Sequence, residues 1–219
     1  MKNIFFILFI VFTNIYSQKP LISSDYVEQK KWVDSVYDNL NIDEKIGQLF
    51  TVWVATKYGE DEIKHISKLI TDHHLGGLIF SLGNIEDQAR AINKFQNLSK
   101  VPLLISMDAE WGIGMRLDDA FSFPYNMTLG AIKNDSLVYN VGKRIGYHAK
   151  RLGVHINFAP VVDINTNPRN PIIGSRSFGE DKFNVSRKAV NYLKGMHHYG
   201  IMGAAKHFPG HGDTETDSH

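Results

Sequence analysis

The sequence predicts an α/β protein built on a parallel sheet, and three observations support that prediction. Short apolar runs alternate with longer segments of helical periodicity along most of the chain. The runs are almost continuously apolar, as strands are when both faces of a parallel sheet are covered. Several runs end directly in polar residues, as Met107 does before Asp108 and Val162 does before Asp163. Polar residues at the carboxyl ends of consecutive strands are typical of a (β/α)8 TIM barrel.

The elements follow one another in a regular order. An amphipathic helix is predicted over residues 25–40, and Asn41 is expected to cap a second, short helix. Apolar runs predict five strands, over residues 49–55, 77–82, 102–107, 154–162 and 202–207, and helical periodicity predicts four intervening helices, over residues 60–74, 85–99, 136–152 and 180–199. A complete barrel takes about 250 residues. We therefore expect a barrel truncated after about the fifth strand, which would remain an exposed edge.

Composition excludes several classes of partner. Lys and Arg number 24 against 23 Asp and Glu, so the chain has no net field to hold nucleic acid or an anionic membrane. Cysteine is absent, which excludes disulfides, thiolate metal ligands and a Cys nucleophile. The expected ligand is a small or neutral molecule. The sequence indicates no particular oligomeric state.

The first 17 residues differ from the rest of the chain. Lys2 precedes an apolar run over residues 4–12, and residues 14–17 are more polar, which is the pattern of a signal peptide. The run is about half of the roughly 20 apolar residues that a membrane span needs, so no stable membrane insertion is expected after cleavage. We expect a signal peptide over residues 1–17 and one domain over residues 18–219, exported to a periplasm or secreted.

The last fourteen residues, 206–219, concentrate three His, two Asp and a Lys. Pro209, Gly210 and Gly212 prevent a regular helix there, so the segment is predicted to be a loop. Loops that hold titratable side chains over a rigid scaffold are where catalytic residues concentrate. Asp217 lies two residues before His219, close enough to orient and charge-stabilise its imidazole. We interpret this segment as half of an active site.

Two further loops carry polar side chains after predicted strands. Asp108 can accept paired hydrogen bonds from sugar hydroxyls, Arg116 offers a planar fork of donors, and Trp111 has the shape to stack on a sugar. The structural alternative is that Asp108 caps backbone amides and Trp111 fills the core. Arg176 follows the fourth strand, and it is expected either to form a structural ion pair with Asp163 or to point at a ligand.

The terminal loop also allows a metal hypothesis. Imidazole and carboxylate ligands suited to zinc or iron are available from His207, His211, Asp213, Asp217 and His219. Their spacing does not match a helical ligand pair such as H-E-x-x-H. Neither a metal nor another cofactor is therefore expected, and metal-dependent hydrolysis is kept as an alternative.

Together these motifs strongly resemble those of family 3 glycoside hydrolases, specifically their bacterial β-N-acetylglucosaminidase branch. The resemblance rests on residues 206–212 and 217–219, on Asp108 and Arg116 eight residues apart, and on Gly-Ser-Arg-Ser-Phe at 174–178. It spans the chain from about Ile42 to the end. It implies a (β/α)8 barrel that removes terminal β-linked N-acetylglucosamine, with retention of configuration, from peptidoglycan fragments or related amino-sugar oligomers.

The resemblance also implies roles for individual residues. The side chains that it places around the sugar are Asp108, Arg116, Arg176, Lys206 and His207. It makes His219 the general acid/base and Asp217 its partner, although glycosidases normally use a second carboxylic acid. An imidazole can protonate the leaving oxygen near neutral pH if Asp217 favours its charged form.

The family's nucleophilic Asp is expected on a later strand, beyond residue 219. The 219 residues alone are therefore expected to be inactive as a hydrolase. Two alternative functions remain open. One is a noncatalytic carbohydrate-binding half-barrel that retains the sugar pocket, and the other is a different β-glycosidase of the same family.

Overall fold

The computed structural model describes residues 25–217, which form a five-stranded parallel sheet with accompanying helices. The strands are β1 (Thr51–Val54), β2 (Gly77–Phe80), β3 (Leu104–Met107), β4 (Ile156–Asn157) and β5 (Met202–Gly203). They pair in chain order, and each pair is parallel. The predicted fold class, the leading part of a (β/α)8 barrel through five strands, is confirmed. Within the described chain β5 pairs only with β4, as expected for an edge strand.

Seven α-helices lie within residues 25–217. They are α1 (Tyr26–Asp38), α2 (Ile42–Gly47), α3 (Glu60–His73), α4 (Ile85–Leu98), α5 (Asn126–Gly130), α6 (Asp135–Leu152) and α7 (Lys182–His197). Side-chain caps fix where several of them begin: Asn84 accepts a hydrogen bond from the Asp87 amide at 2.8 Å, and Asp181 accepts one from Asn184 at 2.7 Å. The predicted helices are confirmed to within two residues at each end.

The fourth and fifth strands are shorter than predicted. The apolar run over 154–162 forms ladder pairs only at Ile156–Asn157, because Pro160 has no amide hydrogen to donate to a ladder. Parallel contact resumes beyond it, where the Val162 amide donates to the Lys206 carbonyl at 2.6 Å. This hydrogen bond beyond the strand ends keeps the loops after β4 and β5 side by side.

Burial of the strands is uneven, which corrects the expectation that all of them are covered on both faces. β2 is almost wholly buried, but on β1 Thr51 and Trp53 are exposed. β1 is an edge of the described sheet, since it pairs only with β2 there. The core lies between the sheet and the helices and includes Phe80 and Phe95, whose ring centroids are 6.3 Å apart.

The helices α6 and α7 pack backbone against backbone. A Cβ atom added at Gly142 would lie 2.2 Å from the Tyr192 carbonyl oxygen, and one added at Gly195 would lie 2.2 Å from the Tyr139 carbonyl oxygen. Only glycine permits this approach. It brings the fully buried Tyr192 of α7 to the ends of the central strands.

The helix α1 contributes no buried residue. Trp32 and Tyr37 expose more than half of their surface. No helix within residues 25–217 combines the length and the apolar character that crossing a bilayer requires. The predicted signal peptide, residues 1–17, lies outside the described residues and stays a prediction.

The α6–α7 contact generates a stability prediction. Gly142→Ala should lower the free energy of unfolding by about 1–3 kcal/mol, because the added methyl group meets backbone that cannot move aside. Helix propensity alone would predict a gain of up to about 1 kcal/mol from the same change. Urea denaturation of the full-length gene product measures the difference. The control is Asn140→Ala at an exposed position of α6, which should be neutral or stabilising; a stabilised Gly142→Ala variant would contradict the packing.

Candidate active site

The candidate site lies at the edge where the parallel strands end. Asp108 and Glu110 follow β3, Asp163 follows β4, and Lys206 and His207 follow β5. Carboxyl ends of neighbouring parallel strands meet at one edge of a sheet, so chain order alone brings these segments together. The side-chain contacts then divide them into two linked groups.

The first group is centred on Asp108. Its Oδ1 lies 2.8 Å from Lys206 Nζ, and its Oδ2 lies 3.3 Å from Arg116 Nη2. Arg116 Nε also donates to the Asp108 backbone carbonyl at 3.0 Å. All three side chains keep between 18% and 27% of their surface accessible. They are therefore ordered by one another and still able to exchange hydrogen bonds with a polar ligand.

Glu110 is the residue that the sequence argument missed. Its side chain has no exposed surface, and both oxygens receive hydrogen bonds from Arg176: Nε to Oε2 at 3.0 Å and Nη2 to Oε1 at 2.8 Å. Lys206 Nζ lies 2.8 Å from the same Oε1. This two-pronged pairing of guanidinium and carboxylate fixes the orientation of both groups.

The contacts of Glu110 determine its ionisation. Burial opposes the charged form, but the hydrogen bond from Arg176 and the charge of Lys206 outweigh it and hold the pKa of Glu110 below its ordinary value. The same hydrogen bond raises the pKa of Arg176, against the effect of burial. Glu110 is therefore an anion beneath the two cations at neutral pH.

Asp163 forms the second group with the loop after β5. Its Oδ2 accepts hydrogen bonds from the His207 backbone amide at 3.1 Å and pairs with the ring Nδ1 at 2.6 Å, and its Oδ1 accepts from the His211 amide at 2.6 Å. The expected ion pair between Arg176 and Asp163 is therefore wrong, because Arg176 is held by Glu110 instead. A pocket of about 580 Å³ opens beside Asp163 and His207.

Buried side chains fix the backbone under the site. Asn157 accepts from the Ala109 amide at 2.9 Å and donates to its carbonyl at 3.1 Å. The Tyr192 hydroxyl donates to the Glu110 carbonyl at 2.9 Å. Burial, reinforced by the charge of Glu110, raises the pKa of Tyr192, so the phenol stays a hydrogen-bond donor. The segment 109–110 is thus held from two sides.

The loop over residues 206–217 is tied to the segment after β4. Asn170 donates to the His211 carbonyl at 2.6 Å, and Asn167 donates to the Asp213 carbonyl at 3.2 Å. Arg169 and Glu215 form an ion pair at the surface. These contacts set the course of the chain as far as Asp217, which is exposed. His219 lies outside the described residues, so its pairing with Asp217 stays a prediction.

The structure also bears on the predictions made for Trp111, for a metal site and for the sugar-binding residues. Trp111 is neither a core residue nor isolated, since its ring meets Tyr125 edge to face with centroids 4.6 Å apart. Among residues 25–217 no three His, Asp or Glu side chains converge to hold a metal ion. Four of the predicted sugar-binding residues, Asp108, Arg116, Arg176 and Lys206, meet in one network with Glu110. The fifth, His207, pairs with Asp163 instead.

Comparison with known proteins decides the family. Residues 41–219 match the family model described as the glycosyl hydrolase family 3 N terminal domain. The chain belongs to glycoside hydrolase family 3. The family resemblance drawn from the motifs is thereby confirmed.

Curated relatives of this family 3 chain carry amino-sugar names. It is 38% identical to "Beta-hexosaminidase A" of Pseudoalteromonas piscicida, over 70% of this chain and 28% of that protein. It is 35% identical to "Beta-N-acetylglucosaminidase/beta-glucosidase" of Cellulomonas fimi, over 86% of this chain and 33% of that protein. The chain therefore spans about a third of the length of these two relatives.

Two solved structures share the fold of this chain. A family 3 β-N-acetylglucosaminidase from Paenibacillus sp. str. FPU-7 superimposes with a TM-score of 0.74 and 37% identity, over 82% of this chain and 35% of that one. A structure described as beta-glucoside phosphorylase BglX superimposes with a TM-score of 0.81 and 29% identity, over 92% of this chain and 35% of that one.

The depressed pKa of Glu110 generates a prediction about acid stability. A carboxyl group whose pKa is lower in the folded state stabilises the fold above its ordinary pKa of 4.5, and this contribution is lost as the pH falls through the folded value. Glu110→Gln should therefore be less stable than wild type at about pH 6, and the gap should narrow below about pH 4.5.

Urea denaturation across this pH range measures that gap, and comparing two forms of one protein cancels the other carboxyl groups. A gap that stays constant from about pH 6 to about pH 3.5 would show that folding does not lower the pKa of Glu110.

Proposed function

We propose that the protein is a retaining glycoside hydrolase of the β-N-acetylhexosaminidase type, which removes terminal β-linked N-acetylglucosamine from peptidoglycan fragments or related amino-sugar oligomers. The observation that supports this most is the cluster of Asp108, Arg116 and Lys206 at the strand ends of a family 3 chain. Curated relatives named β-hexosaminidase and β-N-acetylglucosaminidase favour the amino sugar as substrate.

The cluster suits recognition of sugar hydroxyls. Each hydroxyl both donates and accepts hydrogen bonds, and Asp108 accepts while Lys206 and Arg116 donate. Because Asp108 is held from two sides by cations, its remaining lone pairs are already oriented when a sugar arrives. Prior orientation reduces the entropy that binding must overcome.

The proposed chemistry assigns proton transfer to His219 with Asp217. The protonated imidazole donates to the glycosidic oxygen as the bond breaks, and the neutral ring later takes a proton from the attacking water. Retention needs a nucleophile on the opposite side of the sugar, with the two groups about 5 to 5.5 Å apart in carboxylate pairs. In this proposal the nucleophile is an Asp on a later strand of the full-length gene product.

A second candidate activity is supported by the names of two relatives. One carries both β-N-acetylglucosaminidase and β-glucosidase in its name, and another is described as a β-glucoside phosphorylase. A glucoside substrate and phosphate as acceptor are therefore the alternatives that the assay must include. A noncatalytic sugar-binding protein is the third outcome.

Export to a periplasm or to the medium is part of the proposal. It is supported by Lys2 and the apolar run over residues 4–12. Export would place the enzyme where cell-wall amino sugars occur. Fractionation of cells that produce the tagged full-length protein tests this: an exported protein loses residues at its N-terminus, whereas an intact N-terminus inside the cell would contradict export.

The substrate assay tests the activity. Purified full-length gene product should release nitrophenol from nitrophenyl β-N-acetylglucosaminide faster than from the β-glucoside, and the free sugar formed first should be the β anomer. Sugar 1-phosphate formed when phosphate is added would favour phosphorolysis. Binding of N-acetylglucosamine without any turnover would favour a noncatalytic protein.

The proton-transfer role has its own test. His219→Ala should lower kcat/KM by about 10²–10⁴-fold for alkyl glycosides, whose leaving groups need protonation, and much less for nitrophenyl glycosides. Asp213→Asn, an exposed change in the same loop, is the control and should affect both substrates alike. If His219→Ala lowers kcat/KM equally for both substrates, His219 is not the general acid.

A further inference from the structure

We propose that Glu110 is a positioning residue that sets the places of Arg176 and Lys206 beside the sugar. This inference rests on the proposed function, because the sugar site that the two cations serve is the one proposed above. It adds a residue that neither the family resemblance nor the motif spacing identified.

Glu110 cannot act by contacting a substrate. Its side chain has no exposed surface, whereas Arg176 and Lys206 keep 21% and 18% of theirs. Any influence on a sugar must therefore pass through these two neighbours. The three contacts of these neighbours to Glu110, at 3.0, 2.8 and 2.8 Å, are short enough that the position of Glu110 determines theirs.

The geometry constrains each cation differently. Arg176 meets Glu110 through Nε and Nη2, so the plane of the guanidinium follows the plane of the carboxylate. Its Nη1 donates to the Ile172 carbonyl at 3.2 Å. Lys206 is a single charge on a flexible stem, and it is fixed by lying between the buried Glu110 and the partly exposed Asp108.

Charge balance supports the same role. Among the described residues of the network, the three cations Arg116, Arg176 and Lys206 face the two carboxylates Asp108 and Glu110. Three positive and two negative charges leave one net positive charge. Removing the charge of Glu110 would leave two net positive charges. Arg176 and Lys206 would then repel each other and compete for Asp108. The carboxylate proposed to bind sugar would then be occupied by protein cations.

Glu110 holds its position without help from a ligand. The Tyr192 hydroxyl fixes its carbonyl at 2.9 Å, and Asn157 holds both backbone groups of the preceding Ala109. Tyr192 and Asn157 are both buried. The anion therefore belongs to the scaffold, and the cations take their places from it before any sugar binds.

The test uses Glu110→Gln in the full-length enzyme. The amide has nearly the same shape, but it presents two N–H donors where the carboxylate offered an acceptor, so one donor of Arg176 or Lys206 faces another donor. We expect kcat/KM for nitrophenyl β-N-acetylglucosaminide to fall about 10- to 100-fold, mainly through KM. A crystal structure of the variant should show Arg176 displaced from its wild-type position.

Asp135→Asn is the matched control. Asp135 pairs with Lys188, whose side chain is 1% exposed, at 2.6 Å, and with Arg187 at 2.8 Å. It is also a carboxylate beside a buried cation, but its ionic partners lie on α7. This variant should lose stability and keep the wild-type kcat/KM, which separates positioning from structural support.

A double-mutant cycle identifies the route of the effect. In an Arg176→Ala background, Glu110→Gln should lower kcat/KM by a clearly smaller factor than in the wild-type background, because Arg176 transmits most of the effect. Full additivity of the two changes would overturn transmission through Arg176. Wild-type kcat/KM in Glu110→Gln, or a loss shared equally by Asp135→Asn, would overturn the positioning role.

Failure of the proposed function gives a different result. In that case wild-type enzyme does not hydrolyse the amino sugar, whatever the variants do. The crystallographic comparison needs no substrate and still decides the inference. Arg176 and Lys206 in unchanged places in Glu110→Gln would overturn it, and displaced cations would support it.

Discussion

Lys206 connects two strand ends that are not neighbours. Its ammonium group, which follows β5, lies 2.8 Å from both Asp108 and Glu110, which follow β3, and β4 lies between the two strands. The contact requires all three strands to end at the same level, which the parallel register provides. The site therefore depends on this ion pair, and the ion pair depends on the register of the sheet.

Burial of charge has an energetic cost that the network must offset. A fully buried carboxylate that loses its partner destabilises a fold by about 3–5 kcal/mol, whereas well-packed apolar residues often replace a buried ion pair without loss. An ion pair of this kind is consequently weak evidence for a role in stability. Its position beneath Asp108, at the strand ends of a family 3 chain, agrees better with a role in holding a ligand site.

Much of the fold could be predicted because local chemistry determines it. Apolar runs located the five strands, and residues such as Asn84 and Asp181 cap the helices that the periodicity predicted. The strand lengths could not be predicted as well, because they depend on long-range pairing. Pro160 interrupts the pairing of β4, and the hydrogen bond between Val162 and Lys206 beyond it joins distant parts of the chain.

The candidate site was only partly predictable for the same reason. Asp108, Arg116 and Lys206 were identified from motifs, but the partner of Arg176 was not. Asp163 is near Arg176 in sequence and was the expected partner, whereas Glu110 is 66 residues away. Nothing local distinguishes Glu110 from a solvated acid. The available signal was that the predicted sugar-binding residues include three cations, Arg116, Arg176 and Lys206, but only one carboxylate, Asp108.

A crystal structure of the full-length protein with N-acetylglucosamine tests the central claim most directly. The claim is that the network of Asp108, Glu110, Lys206 and Arg176 is a sugar site arranged before the ligand binds. The account predicts sugar hydroxyls at about 2.7–3.2 Å from Asp108 and Lys206, with the three contacts of Glu110 to Arg176 and Lys206 unchanged. A sugar bound elsewhere, or a network that forms only in the complex, would contradict it.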